Sequence, residues 1–322
     1  MGKCRVFWKL YGNDPLEATH RRRGLFVIDG LRSMGWDVST DNAADADIVV
    51  LQRSTSPAEV DAHRLAGKTT IFDVNDCHTI PGPFYNPSEA EIIRESDFVV
   101  TNSRWMRKRY ARINPNTTMI HEALEDDFFD GARVEPEIDD DRLWFSWHGS
   151  NDNLQYVEPV LDAFRVFGDR VGIVFVMAPT DASGRCNSQR IVDYGVPSTH
   201  VTWDADTWID VISKVNAGIA PLPDTEFCRC KGHHKAVGYM ALGMSCIASD
   251  LPQYREVITH GLNGFIARTT DDWVKCIEML FDTKIRASVG KRAAKSVGAF
   301  KRECVGACWD KFLTMIVDGG FD

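Results

Sequence analysis

The sequence predicts a doubly wound α/β protein in two halves, on three observations. Short apolar runs alternate with longer segments of helical apolar spacing along most of the chain. The runs end in loops rich in Gly, Pro, Asn and Asp, the punctuation that closes buried parallel strands. An acidic stretch with few apolar residues, 126–142, divides the series and reads as a linker. At 322 residues the chain suits two domains of ordinary size, 1–125 and 143–300.

Composition narrows the function classes. Hydrophobic content of 44% with 26% charged residues is that of a soluble globular protein. No apolar run is long enough for a membrane span, and Met1-Gly2-Lys3-Cys4 leads straight into a strand, unlike a signal peptide. Nine cysteines without a repeating spacing do not suit a secreted disulfide scaffold, so the expected compartment is reducing cytoplasm. A net charge of −9 argues against a broad nucleic-acid footprint, which needs clustered Lys and Arg.

In the first half, residues 5–10 read as a strand, 11–15 as its loop and 16–34 as a helix; Gly35 and Trp36 then open the next strand. The cluster His20-Arg21-Arg22-Arg23 reads as a solvated helix face. Residues 46–51 form a strand, Pro57–Leu65 a helix with Pro at its start, and 68–74 another strand. That strand runs into Asn75-Asp76-Cys77-His78, which puts an acid and an imidazole two residues apart at a carboxyl end, where sites on parallel sheets collect. Asp76 and His78 are therefore the candidates for proton transfer. Ser103 caps a helix reaching Ile113; Met106, Tyr110 and Ile113 share its apolar face, and Arg104, Lys108 and Arg112, beside Arg107, its cationic one. Solvated surface, peripheral membrane or anionic contact, and nucleic-acid contact all stay open for that face. Residues 118–122 close the first sheet.

The second half opens with strand 143–147. His148-Gly149-Ser150-Asn151-Asp152 then makes a turn into a helix through Phe167, and Gly149 there lets backbone approach a phosphate. Strands at 172–177, 201–203 and 218–222 alternate with helices at 188–194 and 205–215. Asp224 to Lys231 is a polar, cationic loop. A helix carrying Ala236, Val237, Met240 and Ala241 follows, then strand 245–248, a short helix at Glu256-Val257-Ile258 and a turn into a last strand. Arg229, Lys231 and Lys235 stand before and within the first turn of a helix, a setting for phosphate oxygens. Three helices end the chain, the last with Cys304, Cys308, Phe312 and Met315 on one face.

The run Lys231-x-x-x-Lys235-x-x-x-Tyr239-Met240-Ala241-Leu242-Gly243, then Ile247-Ala248-Ser249-Asp250, Tyr254-Arg255-Glu256 and His260-Gly261-x-Asn263-Gly264-Phe265 resembles the donor-binding half of family-four retaining glycosyltransferases. The resemblance spans about fifty residues in the family's order and spacing. It implies the GT-B fold, two Rossmann-like domains facing across a cleft, with a terminal helix from about residue 301 returning to the first domain. It further implies transfer of a sugar from a nucleotide-diphosphate donor, with retention and without a metal or other cofactor. Arg229, Lys231, Lys235, Gly149 and Ser150 would hold the diphosphate, and Tyr254 or Glu256 would touch ribose or sugar. Trp203 would pack on the base, and Gly12 would lie in the Gly-bearing loop facing the cleft. Phe227-Cys228-Arg229-Cys230-Lys231-Gly232 resembles the Phe-Asn-Arg-x-Lys-Ser loop of some members. The family's two glutamates, eight positions apart, fall at Cys230 and Gly238 in this chain. The alternative is therefore a catalytically silent GT-B protein that binds nucleotide or glycan. The acceptor is open among glycan, lipid-linked glycan, protein, small molecule and modified nucleobase.

Other chemistries find little support. Cys228-x-Cys230-x-x-His233-His234 offers zinc ligands at a poor chelating spacing, and no second pair completes them. Neither Gly-x-Ser-x-Gly nor Gly-x-Gly-x-x-Gly is present.

Overall fold

A computed structural model describes residues 4–53, 55–81, 85–130, 142–177 and 195–320. Most of the predicted linker, the predicted helix at 188–194 and the Gly82-Pro83 end of the Asp76 loop lie outside the described residues. The chain divides into two compact units. The first is Met1–Glu125 with Thr225–Gly232 and Ala299–Asp322, and the second is Asp126–Asp224 with His233–Gly298.

The first unit holds six parallel strands: β1 (Arg5–Lys9), β2 (Asp37–Ser39), β3 (Ile48–Gln52), β4 (Thr69–Asp73), β5 (Phe98–Thr101) and β6 (Thr117–Met119). Their order is β2-β1-β3-β4-β5-β6, so the direction of winding reverses between β1 and β3. All five positions of β3 are buried, as an apolar run between two neighbours in a parallel sheet requires. β6 stops short of the predicted 118–122. Beyond Met119, the Ile120 carbonyl accepts from Arg23 Nη1 (3.1 Å) and not from a strand.

The predicted solvated Arg cluster is a buried one. A π-helical turn, His20–Leu25, leads into the helix Phe26–Ser33, and His20, Arg22 and Arg23 are buried. Arg23 forms a bidentate pair with Asp73, and the two side chains are 1% and 0% exposed. Arg21 and Arg22 both hold Glu125, at 2.6 and 3.1 Å. Charge alone suggested solvent, but the guanidinium groups of Arg22 and Arg23, each matched to a carboxylate, can be buried where their hydrogen bonds are met.

The helix Arg302–Val317 lies on the helix Phe26–Ser33, where Gly30 and Gly306 let the backbones approach; a Cβ on Gly30 would sit 3.5 Å from Gly306 Cα. Its buried stripe is Val305, Trp309, Phe312 and Leu313, with Trp309 edge-on to Trp8 at 4.8 Å. Cys308 is exposed, so the face predicted from Cys304, Cys308, Phe312 and Met315 is offset by about one residue.

The second unit holds β7 (Leu143–Gly149), β8 (Val171–Met177), β9 (Ser198–Thr202), β10 (Ala217–Ala220), β11 (Ser245–Ser249) and β12 (Phe265–Ala267). All are parallel, in the order β12-β11-β10-β7-β8-β9, and winding reverses between β7 and β10. Its core gathers Phe145, Trp147, Phe164, Phe175, Ile219 and Ile277. The helix predicted through Phe167 is broken into 3-10 turns at Asn151–Tyr156 and Glu158–Val160 before the short α-helix Leu161–Arg165. Pro159 has no N–H to continue a ladder from the first turn.

Candidate functional site

In doubly wound sheets ligands bind outside the carboxyl ends of the strands, where the winding reverses. In the first unit that place is the end of β1 and β3. Gln52, fully buried, accepts from Tyr11 N (2.9 Å) and donates to Asp73 (3.2 Å), which fixes the turn carrying Gly12. Gly12 has φ +66° with open space where a Cβ would be, a backbone only glycine adopts without cost. Arg53, one residue past β3, also has a positive φ, +34°. Its guanidinium lies 4.8 Å from the centre of the Tyr11 ring, and its Nη1 is 3.6 Å from Asp76 Oδ2. Lys231 Nζ reaches the other Asp76 oxygen at 3.3 Å. Asp76 therefore sits between two cations, and all three side chains are only 20–23% exposed.

His78 is buried behind this group. Its backbone N–H is shared by the two carboxylate oxygens of Glu89 (3.1 and 3.2 Å), and Tyr110 donates its hydroxyl to the same carboxylate. Burial pushes the Glu89 carboxyl up to about 7, against the two hydrogen bonds that favour its ionised form. Glu125 shows the opposite balance: burial would raise it, but Arg22 and Arg21 outweigh burial and hold it below the usual range.

The segment predicted as a second-half loop is a helix of the first unit. Thr225 caps Glu226–Cys230 through its hydroxyl, which accepts from Cys228 N (3.1 Å). Arg109 pairs with Glu226 (3.2 Å), Ser103 donates to the Cys230 carbonyl (3.1 Å), and Cys230 enters the core beside Cys77 and Tyr110. Arg229 lies over the Trp105 ring at 5.6 Å, and Lys231 Nζ is 4.8 Å from the centre of the Phe227 ring. Arg229 and Lys231 thus stand with Asp76, Gly12 and His78 in the first unit, while Lys235 stands in the second.

In the second unit Gly149 ends β7, at the reversal point. A Cβ there would meet Lys235 Nζ at 2.8 Å and the Trp147 ring at 3.1 Å, and the Lys235 ammonium lies 5.3 Å from the centre of that ring. The structure brings Gly149 and Lys235 together from positions 86 residues apart, 235 minus 149. Ser150 is exposed, and its hydroxyl accepts from Asn153 (2.7 Å). Trp203 is half-buried, 6.4 Å from Trp208 between ring centres, and Asp204 holds the turn before the helix Trp208–Ser213 by accepting from Thr207 N (3.1 Å). Tyr254 is 1% exposed and belongs to the core; Glu256 is half-buried just after the helix Pro252–Arg255. Sequence reasoning missed His148, whose Nδ1 is 3.0 Å from the Tyr239 hydroxyl; that hydroxyl also donates to the Ser146 carbonyl (2.8 Å). Tyr239 in turn fills the space above Gly218. At Gly238, a Cβ would stand 3.2 Å from the ring of Phe128, which is fully buried and edge-on to Trp208 at 5.3 Å.

A cavity of about 300 Å³ opens at the carboxyl ends of β10, β11 and β12, lined by Leu222, Ser249, Asp250, Arg268 and Trp273 among others. A shallower depression of about 580 Å³, lined by Asp61, Arg64, Lys68 and Asp97, faces the amino ends of β4 and β5, the edge that does not bind ligands in this architecture. Among the described residues no three His, Cys, Asp or Glu side chains gather as metal ligands. No described helix is long and apolar enough to cross a membrane.

No family model matches the chain, and no curated protein matches it in sequence. Solved structures do match over nearly all of it. A glycosyltransferase from Rickettsia africae ESF-5 superposes with a TM-score of 0.78 at 14% identity, over 98% of this chain and 99% of that one. Anabaena HepE, solved in complex with UDP and glucose, gives 0.74 at 12% identity over 97% and 100%. Sucrose-phosphate synthase from Thermosynechococcus elongatus gives 0.74 at 13% identity over 98% and 100%. The fold is that of the GT-B glycosyltransferases; at these identities the likeness establishes fold and leaves activity to the chemistry of the residues.

Proposed function

We propose that this chain is a glycosyltransferase that moves a sugar from a nucleoside-diphosphate donor to an acceptor, with retention and without a metal. The observation that carries the reading is the pairing of Lys235 with Gly149 at the winding reversal of the second sheet. An ammonium beside side-chain-free backbone suits a diphosphate: the backbone can approach the phosphate oxygens, and the cation offsets the charge that builds as the diphosphate leaves. HepE, of the same fold, has been solved with UDP-glucose, which supports a uridine diphosphate donor as the first to test. Ser150, Glu256 and Trp203 remain the candidates for phosphate, ribose and base. On the first unit, Gly12, Arg53, Asp76 and Lys231 are the candidate acceptor group, with Asp76 oriented by its two cations.

Titration calorimetry with UDP tests the donor site. Lys235→Ala is expected to weaken UDP by about 10- to 100-fold, the worth of one charge-assisted contact, while Lys231→Ala changes turnover more than UDP affinity. Wild-type protein that binds no nucleoside diphosphate would sink the proposal. A second reading, a silent protein that binds nucleotide or glycan, is favoured by Gly238, where the ring of Phe128 takes the room a family glutamate would need. UDP binding without release of UDP from mixed nucleotide sugars, across varied acceptors, would select it.

A further inference from the structure

Arg53 is the one described residue other than glycine whose φ is positive, at +34°. Such backbone is strained for an L side chain and persists where its surroundings hold it. Here the Arg53 N–H continues the ladder past β3 to the Asp73 carbonyl (3.2 Å), and the guanidinium lies over the Tyr11 ring. The strained residue puts a cation at the carboxyl end of β3, beside the winding reversal of the first sheet. That cation is short of partners. An arginine carries more N–H donors than one carboxylate can take, and a lysine ammonium adds its own. Among the described residues Arg53 and Lys231 share one carboxylate, Asp76, at 3.6 and 3.3 Å, and Arg53 donates no hydrogen bond. The Arg53 side chain is 21% exposed and that of Lys231 20%, so water reaches little of either, and donors left unmet there are costly. The next carboxyl that Arg53 acts on, Glu89, is committed to the His78 N–H and the Tyr110 hydroxyl, and burial pushes it up to about 7.

We propose that Arg53 and Lys231 form an oxyanion site in the first unit, and that the acceptor entering there is a sugar or polyol that carries a phosphate. The acceptor role rests on the transferase reading; the anion site stands without it. Two cations against one carboxylate leave a surplus of positive charge, which a bound anion offsets. Phosphate suits the pair better than a carboxylate does. It offers more oxygens, so both cations can be met while Asp76 keeps its own contacts, and the guanidinium fork matches it where the ammonium adds a point charge. The strain at Arg53 is then the cost of holding a guanidinium where a ligand needs it. A phosphate anchored on Arg53 and Lys231 keeps the hydroxyls of the same molecule close to Asp76, the candidate for proton transfer.

Titration calorimetry on the full chain tests this with inorganic phosphate, glucose 6-phosphate, glycerol 3-phosphate, glucuronate and glucose as probes. Saturable binding of the phosphates is expected, with glucuronate weaker and glucose not bound. Each titration is repeated on Lys235→Ala, so that phosphate drawn to the donor site of the second unit is told apart. Binding is expected to persist in that variant and to weaken by about 10- to 100-fold when Arg53→Gly is added, the worth of a charge-assisted contact. Glycine adopts this φ without strain, so Arg53→Gly keeps the backbone, and a cooperative urea transition checks that it does. Arg53→Lys, which keeps the charge and loses the fork, is expected to retain more binding than Arg53→Gly. The proposal is overturned by phosphate binding that is absent, that Lys235→Ala alone removes, or that Arg53→Gly leaves intact. Glucuronate bound as tightly as glucose 6-phosphate overturns it too, as does binding of the inorganic ion with both organic phosphates refused. UDP titration reports separately on the transferase reading. Phosphate bound without UDP keeps the anion site and removes the acceptor role, whereas UDP bound without any phosphate removes the site and leaves the transferase reading standing.

Discussion

Glu89 shows how a side chain outside any motif can set the behaviour of one inside it. Its carboxylate receives the backbone N–H of His78 and the hydroxyl of Tyr110 in a buried pocket, and burial raises it to about 7. The unfolded carboxyl loses its proton near 4.5 and the folded one near 7, so between those values the folded chain carries the extra proton. Stability then falls as pH rises through that window, by up to ~1.4 kcal/mol per pH unit. Glu89→Gln, which keeps an acceptor for both donors, is expected to flatten the dependence. Urea midpoints taken at about pH 5 and about pH 8 check it: the wild-type midpoint drops and the Gln midpoint does not. Gly238 is the other informative residue. Gly238→Glu forces a side chain against the Phe128 ring, at a cost of about 1–3 kcal/mol. Phe128→Ala in the same chain is expected to recover part of that loss, and a double-mutant cycle with no coupling between the two positions would show that the ring is not what excludes the glutamate.

At the scale of elements, what could be read from sequence and what could not separate along one line. Strands β3 and β8 are buried at every position, so each announces itself as an unbroken apolar run. The Gly149 turn is legible for a related reason, since it ends such a run. The burial of Arg23 is not legible: its partner Asp73 lies 50 positions away, and a charge looks solvated until its partner is known. Arg53 was missed because a positive φ on a non-glycine residue leaves no mark in composition, and because its partner Asp76 lies beyond the next strand. The stretch from Asp224 to Lys231 reads as a loop in the sequence since five helical residues, Glu226–Cys230, are too few to show a period. The pairing of Arg23 with Asp73 yields a direct test. Arg23→Ala leaves a fully buried carboxylate without its cation and is expected to cost about 3–5 kcal/mol, while Arg23→Met with Asp73→Leu costs less. Equal losses for both variants, by urea titration, would mean the pair acts through packing alone.

At the scale of the whole molecule, each sheet has its own core, but only one of the two units is assembled from three separated stretches of chain. The first unit cannot close its core with residues 1–125. Trp8, Phe26 and Leu31 lie in a cluster completed by Val305, Trp309, Phe312 and Leu313, and Trp36 donates its indole N–H to Asp310 (2.7 Å). The other side of the sheet carries Cys77, Tyr110 and Phe72 in a cluster that includes Cys230. A fragment of residues 1–125 therefore exposes a broad apolar face along the helix Phe26–Ser33, and removal of Trp309 alone should cost about 3–5 kcal/mol. The fragment is expected to keep helical far-ultraviolet dichroism, lose the near-ultraviolet signal of its tryptophans and bind an apolar dye, the signature of a collapsed chain without fixed packing. Fusing residues 299–322 to its carboxyl end through a flexible linker should restore the near-ultraviolet signal and a cooperative urea transition, and Trp309→Ala in that fusion should remove them again. A fragment of 1–125 that unfolds cooperatively without the added helix would show that the terminal helix decorates the first unit and does not complete it.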